Sequence, residues 1–439
     1  MTRILSIEEH RPLTDSQLFH EVFDNDDALW KRFPDASIAI GKNLLGCYVE
    51  GWPTPVPKAG FHVGITWLKE GQVALQVCPK ISNIDFLTMF MTCLKCRDNV
   101  VQDKIMQIYG IDFKKPAIDM NGLHLEITPF IIIHFLSLLE PIIKKGLKHN
   151  YVFEEDNLQG KLRGKLMFSQ HFKKNVLNQR LDKNYCRYQE YSVDCTENKI
   201  LKKALSFADG YLQRYKLHLP KDLARIVLQG KNVFAEVNDN CSASEIERFR
   251  VNPLFKEYAR AISVAKLILK RFGYDVQRIE KQSNMIPPFW IDMPLLFETY
   301  ILGLLTEKYG SGIKYHISTH GNEIDFGKPD EQMIIDTKYI YHWDDMVNHD
   351  NIRQLSGYAR NKQIRHKLLG YVNETDILPC MILYPSVDGI EKFSSEYLLD
   401  EPCKEIETYL KFHKLGIKLP EKTINIKKEV YKKKSKELR

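Results

Sequence analysis

"GNEIDFGKPDEQMIIDTKYI", residues 321–340, decides how the C-terminal third of this 439-residue chain is read. The run "EQMIIDTKYI" has the composition of a strand. Its apolar residues Met333, Ile334, Ile335 and Ile340 fall on both faces, as in a central strand covered on two sides. Side chains alternate along a strand, so Asp336 and Lys338 project from the same face. Burying two charges there costs several kcal/mol unless each has a partner. One explanation is a structural Asp–Lys ion pair. The other is a metal site, in which a carboxylate holds Mg²⁺ and the lysine orients or deprotonates the attacking water. Magnesium takes oxygen ligands and keeps several waters. A second carboxylate must then come from a neighbouring strand.

"NEIDF" supplies the candidate. With "GKPDE" as the turn, "NEIDF" and "MIIDTK" form an antiparallel hairpin, with Asp325 on its first strand and Asp330 in the turn. An aspartate after proline suits a type I turn, which gives Asp330 a sufficient structural reason. Pro329 within a strand would be unable to donate to the ladder. Asp325 lies eleven positions before Asp336, which leaves room for strand, turn and strand; Asp330 leaves six. Asp325 is therefore the expected partner of Asp336. One difficulty follows from this register. Tight pairing sets Asp325 opposite residue 332 or 333, so a bulge or sheet twist has to close the gap to Asp336.

Two flanking patterns extend the constellation. In "WIDMPLLFETYILGLL" the residues Leu295, Leu296, Tyr300, Leu304 and Leu305 mark a helix that carries Glu298. Glu298 reads most simply as a surface residue; pointing at the metal is its functional alternative. In "NIRQLSGYARNK" Gln354 and Tyr358 are four apart, hence on one helix face.

The rest of the chain is that of an ordinary globular protein, with 44% hydrophobic and 27% charged residues, a net charge of +7 and a pI near 8.7. The mild basicity fits a polyanionic partner without requiring one. The length implies two or three domains. Residues 1–125 read as β-rich, with a hairpin in "GFHVGITWLKEGQVALQVCPKI" turning at "KEGQ". Residues 126–284 read as mainly helical. "ITPFIIIHFLSLLEPII" is short for a membrane span and starts as an N-cap Thr128 followed by Pro129, so it predicts a buried soluble helix. "ENKILKKALSFADGYLQRY" and "FKEYARAISVAKLILKRFG" show helical periodicity. "NMIPPFW" marks a break at 284–290, and residues 285–420 alternate helix and strand patterns: helix 292–309, hairpin 323–341, helix about 350–366 and the strand "PCMILYP". Residues 421–439 form a basic tail. Cys93 and Cys96 make a CxxC without a second pair, read as ordinary helix residues among nine cysteines that show no framework. There is no signal-peptide pattern, and the expected location is the reducing cytoplasm. In "GKLRGKL", Lys161, Arg163 and Lys165 would share one face of a strand. That strand is read either as a solvated edge guarded by lysine or as a strip contacting phosphate or a partner.

Glu in a helix, Asp, Asp-x-Lys, then Gln-x-x-x-Tyr, in this order, resemble the PD-(D/E)xK nuclease core with a RecB-type last motif. "LLFETYI", "IIDTKY" and "QLSGYA", with "LQVCPKIS", "KKGLKHNYVFEEDNLQGKLRGKL" and "DCTENKILKKAL" upstream, are similar to the McrC family. That family supplies the nuclease subunit of modification-dependent restriction systems of the McrBC type. The chain departs from the pattern at one point, where the usual Pro-Asp is Ile324–Asp325.

The resemblance implies a multidomain α+β protein whose 285–420 region is an α/β restriction-endonuclease-like domain. It implies Mg²⁺-dependent hydrolysis of DNA phosphodiesters, with Mn²⁺ able to substitute. Asp325, Asp336 and Glu298 are the implied metal ligands, and Lys338, Gln354 and Tyr358 complete the catalytic set. The implied partners are an McrB-like AAA+ GTPase ring, which the N-terminal region docks on and stimulates, and double-stranded DNA carrying modified bases. The sequence has no G-x-x-x-x-G-K-[ST] motif, so no nucleotide is expected on this chain itself. Two alternatives stand beside this reading. One is an assembly subunit that activates the ring without cleaving; the other is a stand-alone RecB-like exonuclease, whose iron–sulfur forms need four ordered cysteines where this chain has Cys380 and Cys403.

Overall fold

A computed structural model describes residues 2–15, 18–23, 33, 43–50, 56–119, 127–215, 221–252, 255–272, 285–319, 322–340, 349–371 and 376–422. The basic tail beyond 422 lies outside the described residues. The protein is mixed α/β, with several sheets and helices. It forms two compact units: residues 1–119 group with 287–439, and residues 120–286 stand by themselves.

Why the two ends group is visible in the first sheet. The expected hairpin forms as His62–Lys69 and Val73–Cys78, with Gly71 taking φ +72° in its turn. Arg3–Glu8 adds in parallel to Val73–Cys78. On the other side the strand Phe289–Asp292 pairs antiparallel with both His62–Lys69 and Tyr109–Ile111, giving five strands. The chain thus returns to its N-terminal sheet immediately before the helix Met293–Tyr309. Gly110 permits this, because a Cβ there would meet the Trp290 indole at 2.1 Å. Asp292 caps the helix by accepting from Leu295 N at 3.1 Å. That helix packs against Phe86–Cys93, and a Cβ on Gly303 would lie 2.5 Å from the carbonyl of Thr92. Cys93 and Cys96 are buried here, Cys93 Sγ lying 3.3 Å from Thr299 Oγ1 and Cys96 Sγ donating to Thr306 Oγ1 at 3.6 Å.

A second sheet in the same unit has six strands in the order Lys314–Thr319, Asn322–Lys328, Met333–Thr337, Cys380–Ile390, Phe412–Ile417 and Lys404–Glu405. Its first three strands form an antiparallel meander, and its centre is parallel. The single helix expected at 350–366 is two helices, His349–Ala359 and Lys362–Leu369. Asn361 separates them by accepting from Gln363 N and Ile364 N and so starting a new helix. Ile352, Leu355, Ile364 and Leu368 from this pair pack in one core with Ile317, Ile324, Ile334 and Ile382 of the sheet.

In the other unit, Thr128–Lys145 packs against Lys221–Val233 and Lys256–Arg271, and Lys256–Arg271 also packs on Thr196–Tyr215. Thr128 is not the expected N-cap: Ile127 occupies that place without a side-chain cap, and Thr128 Oγ1 accepts from Arg271 Nε at 3.4 Å. Among the described residues no helix is long and apolar enough to cross a membrane. The unit also carries a ribbon of Asn150–Gln159 paired antiparallel with Lys183–Ser192. The expected strand through Lys161, Arg163 and Lys165 does not form; only Lys165–Leu166 is strand. Gly164 turns the chain at φ +64°, against the Arg187 carbonyl that a Cβ would meet at 2.4 Å. The three cations are exposed but do not share one strand face, and Arg163 lies 4.1 Å over the Tyr188 ring.

Candidate active site

The strand Asn322–Lys328 pairs with Met333–Thr337 in the register Phe326↔Ile335, Gly327↔Ile334 and Lys328↔Met333. One step further along this register sets Asp325 opposite Asp336. No bulge is needed. The turn lies later than the sequence suggests: Gly327 and Lys328 still belong to the strand, Pro329–Glu331 forms a short 3₁₀ turn, and Gln332 closes it in the left-handed region at φ +52°. Asp330 sits in that turn and pairs with Lys328 Nζ at 2.5 Å, as does Glu331 at 2.9 Å. Lys328 is buried, so the two turn carboxylates serve as its counter-charge.

Asp325 is held by its neighbour on the return strand. Its Oδ2 accepts from Thr337 N at 2.7 Å and Thr337 Oγ1 at 2.5 Å. Asp336 is buried and pairs through Oδ2 with Lys338 Nζ at 2.7 Å. Lys338 Nζ also donates to Gln354 Oε1 at 3.3 Å, and Gln354 Nε2 donates to the Tyr358 hydroxyl at 2.9 Å. The carboxylate, lysine, glutamine and tyrosine thus form one connected chain of polar contacts running from sheet to helix.

Glu298, on the helix Met293–Tyr309, is engaged through Oε1 by the Tyr315 hydroxyl at 2.8 Å and His316 Nε2 at 2.7 Å. His316 bridges to Glu323 through its other ring nitrogen. It adopts φ +51°, an uncommon conformation for a residue with a side chain. Burial works against its cation, but Glu298 and Glu323 outweigh it and hold His316 above the usual range.

The electrostatics of the carboxylates are those of a crowded anionic site. Burial pushes Asp325 up to about 8, the charges of Asp336 and Glu298 push the same way, and the Thr337 donors oppose them. Burial likewise raises Asp336; Lys338 pulls it down, Glu298 pushes it up, and a hydrogen bond with Asp325 pulls it down. Two adjacent carboxylates, with a third nearby, face one lysine. Among the described residues no group of three His, Cys, Asp or Glu side chains is gathered as a metal cluster. Asp325 and Asp336 lie side by side, and Glu298 lies near enough to raise both, with its Oε1 held by Tyr315 and His316.

All six residues expected from the C-terminal motifs converge here, whereas Lys161, Arg163 and Lys165 belong to the other compact unit. Three contributors were not singled out from the sequence. Thr337 lies inside the Asp-x-Lys motif, where strand alternation aims it away from Asp336, and only the hairpin register shows what it holds. Tyr315 and His316 fall in "KYHIST", which carries no local mark of its contact with Glu298.

Residues 58–371 match the family described as "McrBC 5-methylcytosine restriction system component". No curated protein matches the chain. Among solved structures, the chain is similar to one in a refined half-complex from a tetradecameric assembly of Thermococcus gammatolerans McrB AAA+ hexamers with bound McrC. That match has 16% identity, covers 94% of both chains and has a TM-score of 0.41. A second match is to a chain of the cryo-EM structure of the Thermococcus gammatolerans McrBC complex, also at 16% identity, covering 70% of this chain and 88% of that chain with a TM-score of 0.31.

Proposed function

Because the chain belongs to the McrBC 5-methylcytosine restriction system component family, we propose that it is the DNA-cleaving subunit of such a system, a Mg²⁺-dependent endonuclease with a PD-(D/E)xK site. The observation that carries this reading is the placement of Asp325 next to Asp336, beside the Lys338–Gln354–Tyr358 chain. On this reading its partner is an McrB-like AAA+ GTPase ring, whose hydrolysis it stimulates, and its substrate is double-stranded DNA carrying modified bases.

The residues fit a magnesium ion. Asp325 and Asp336 offer an all-oxygen donor set, and Mg²⁺ binds through one or two carboxylates while keeping several waters. Their raised pKa values report repulsion and burial that Lys338 does not offset. A divalent cation would supply the missing positive charge. When bound, the ion supplies Lewis acidity toward a phosphodiester oxygen.

The chain's own groups do the positioning. Thr337 fixes which oxygen of Asp325 is turned away from the site. Asp336 holds the Lys338 ammonium, and Gln354, itself oriented by Tyr358, holds it from the helix side. An ammonium has three donors, so a third remains for the attacking water or a phosphate oxygen. Glu298, fixed by Tyr315 and His316, adds negative charge next to the pair and favours the cation. The deciding experiment is cleavage of methylated duplex DNA by the chain with its AAA+ partner, GTP and Mg²⁺, against the same mixture with EDTA. Cleavage that persists in EDTA, or is absent from the complete mixture, would overturn the assignment.

A further inference from the structure

Past Thr337 the ladder ends: the last pair is Thr337↔Leu383. Lys338 therefore sits just beyond the regular strand, and its position depends on separate anchors. Its own N–H donates to the Leu383 carbonyl at 2.9 Å. The Tyr339–Ile340 peptide that follows is held from the N-terminal part of the chain. Lys80 Nζ donates to the carbonyl of Tyr339 at 2.7 Å and lies 4.0 Å from the centroid of the Tyr339 ring. The Tyr339 hydroxyl donates to Glu9 Oε2 at 3.2 Å, and the same oxygen accepts from Lys80 N at 3.3 Å. Glu9 and Tyr339 are 2% and 4% exposed, so this contact is enclosed.

Glu9 follows the strand Arg3–Glu8, and Lys80 follows Val73–Cys78. The two strands are parallel neighbours, so both residues emerge at the same end of the first sheet. The Lys80 ammonium is directed at the main chain and ring of Tyr339. This is a costly way to use a half-buried cation unless the location of that peptide matters. The Tyr339 side chain meets Glu9 and Lys80, whereas that of Lys338 meets Asp336 and Gln354. Tyr339 anchors the backbone without entering the site.

We propose that Lys80 is a positioning residue of the cleavage site: by gripping the Tyr339 carbonyl, with Glu9 holding the Tyr339 hydroxyl, it fixes the Tyr339–Ile340 peptide, whose N–H donates to the Lys338 carbonyl at 2.8 Å. The inference rests on the endonuclease reading above and extends it to a residue some 250 positions away in sequence. Displacing a catalytic group by about 1 Å costs up to about 100-fold in rate, which sets the scale of the effect.

The test uses the full chain with its AAA+ partner, GTP and Mg²⁺. Lys80→Met removes the donor at similar length, Lys80→Arg keeps one, and Lys338→Ala is the reference for a dead site. Lys80→Met is expected to slow cleavage per folded chain by about 10- to 100-fold. The half-saturating DNA concentration and the partner's GTP hydrolysis should stay as in the unmodified protein. Lys80→Arg should recover part of the rate, and Lys80→Met should add nothing to Lys338→Ala, because both act through one group. Hydrogen exchange on the chain alone should quicken at amides 338–340 in Lys80→Met. Cleavage by Lys80→Met at the unmodified rate overturns the inference. So does a loss that multiplies with that of Lys338→Ala, or one that follows melting temperature alone. An unmodified chain that never cleaves overturns the endonuclease reading instead, and unchanged exchange at 338–340 then still refutes the anchor.

Discussion

Asp325 accepts both the backbone N–H and the hydroxyl of Thr337, at 2.7 and 2.5 Å. This one contact chooses between the two upstream aspartates. It joins the strand that carries Asp325 to the residue between Asp336 and Lys338, while Asp330 is occupied with buried Lys328 in the turn. The literal Pro-Asp of this hairpin is therefore a turn element.

Asp325→Asn and Asp330→Asn separate these roles. Outer-shell groups of metal sites are worth about 10- to 100-fold, so the loss of a ligand should cost at least that. Asp325→Asn is expected to lower Mg²⁺-dependent cleavage by about 100-fold or more, with Asp330→Asn close to the unmodified chain. The reverse ranking in the same assay would mean that the register is wrong.

Thr337→Val keeps shape and removes one of the two donors to Asp325. The carboxylate then loses its orientation, and metal affinity should fall by about 10- to 100-fold. A Mg²⁺ titration of cleavage should show the half-saturating concentration rising by that factor, with the rate at saturating Mg²⁺ much less affected.

Lys338→Ala removes the group that Asp336 and Gln354 both hold. Cleavage should be lost, while the chain still stimulates its partner's GTP hydrolysis. Removing one member of a buried ion pair costs about 3–5 kcal/mol when the other stays charged. Asp336 is already raised towards its neutral form and can take up a proton, so the loss should fall below that range. Denaturant titration at pH 7 measures it.

Stability of the helical unit should depend on pH through His134. Burial pushes this imidazole down to about 3 in the folded protein, from an ordinary 6.5. Between those values the unfolded chain carries the proton and the folded one does not. Stability is therefore full above pH 6.5 and falls as pH drops, by at most about 1.4 kcal/mol per unit. Hydrogen exchange of Thr128–Lys145 between pH 7 and 5, corrected for intrinsic rates, should show this in the unmodified chain and less of it in His134→Phe.

A fragment ending at residue 280 lacks the strand Phe289–Asp292, which lies between His62–Lys69 and Tyr109–Ile111. It should expose both edges and fail to form the first sheet, which makes it a poor probe of partner docking. Residues 120–286 form a compact unit of their own. Limited proteolysis should show the first fragment degraded within residues 1–119 and the second resistant. Resistance of the first would mean that the return strand is dispensable.

The sequence by itself determined what is local. The i, i+2 spacing placed Asp336 and Lys338 together, and the i, i+4 spacing placed Gln354 with Tyr358; the structure joins these pairs through Lys338 and Gln354. Apolar periodicity marked the helices Thr196–Tyr215 and Lys256–Arg271, because a helix on a core buries a stripe that its own residues define, and the apolar run of Met293–Tyr309 marked a helix buried nearly all round. Tertiary structure decided whatever depends on an offset between segments. The position of the turn shifted by two residues, and that brought Asp325 level with Asp336, since hairpin register is set by where the chain reverses and not by strand composition. The return of Phe289–Asp292 to the N-terminal sheet, the grip of Tyr315 and His316 on Glu298, and the contact of Lys80 with the Tyr339 peptide join residues far apart in sequence. Hydrogen bonds of that kind leave no periodic trace along the chain, because each partner satisfies its local pattern equally well without the other.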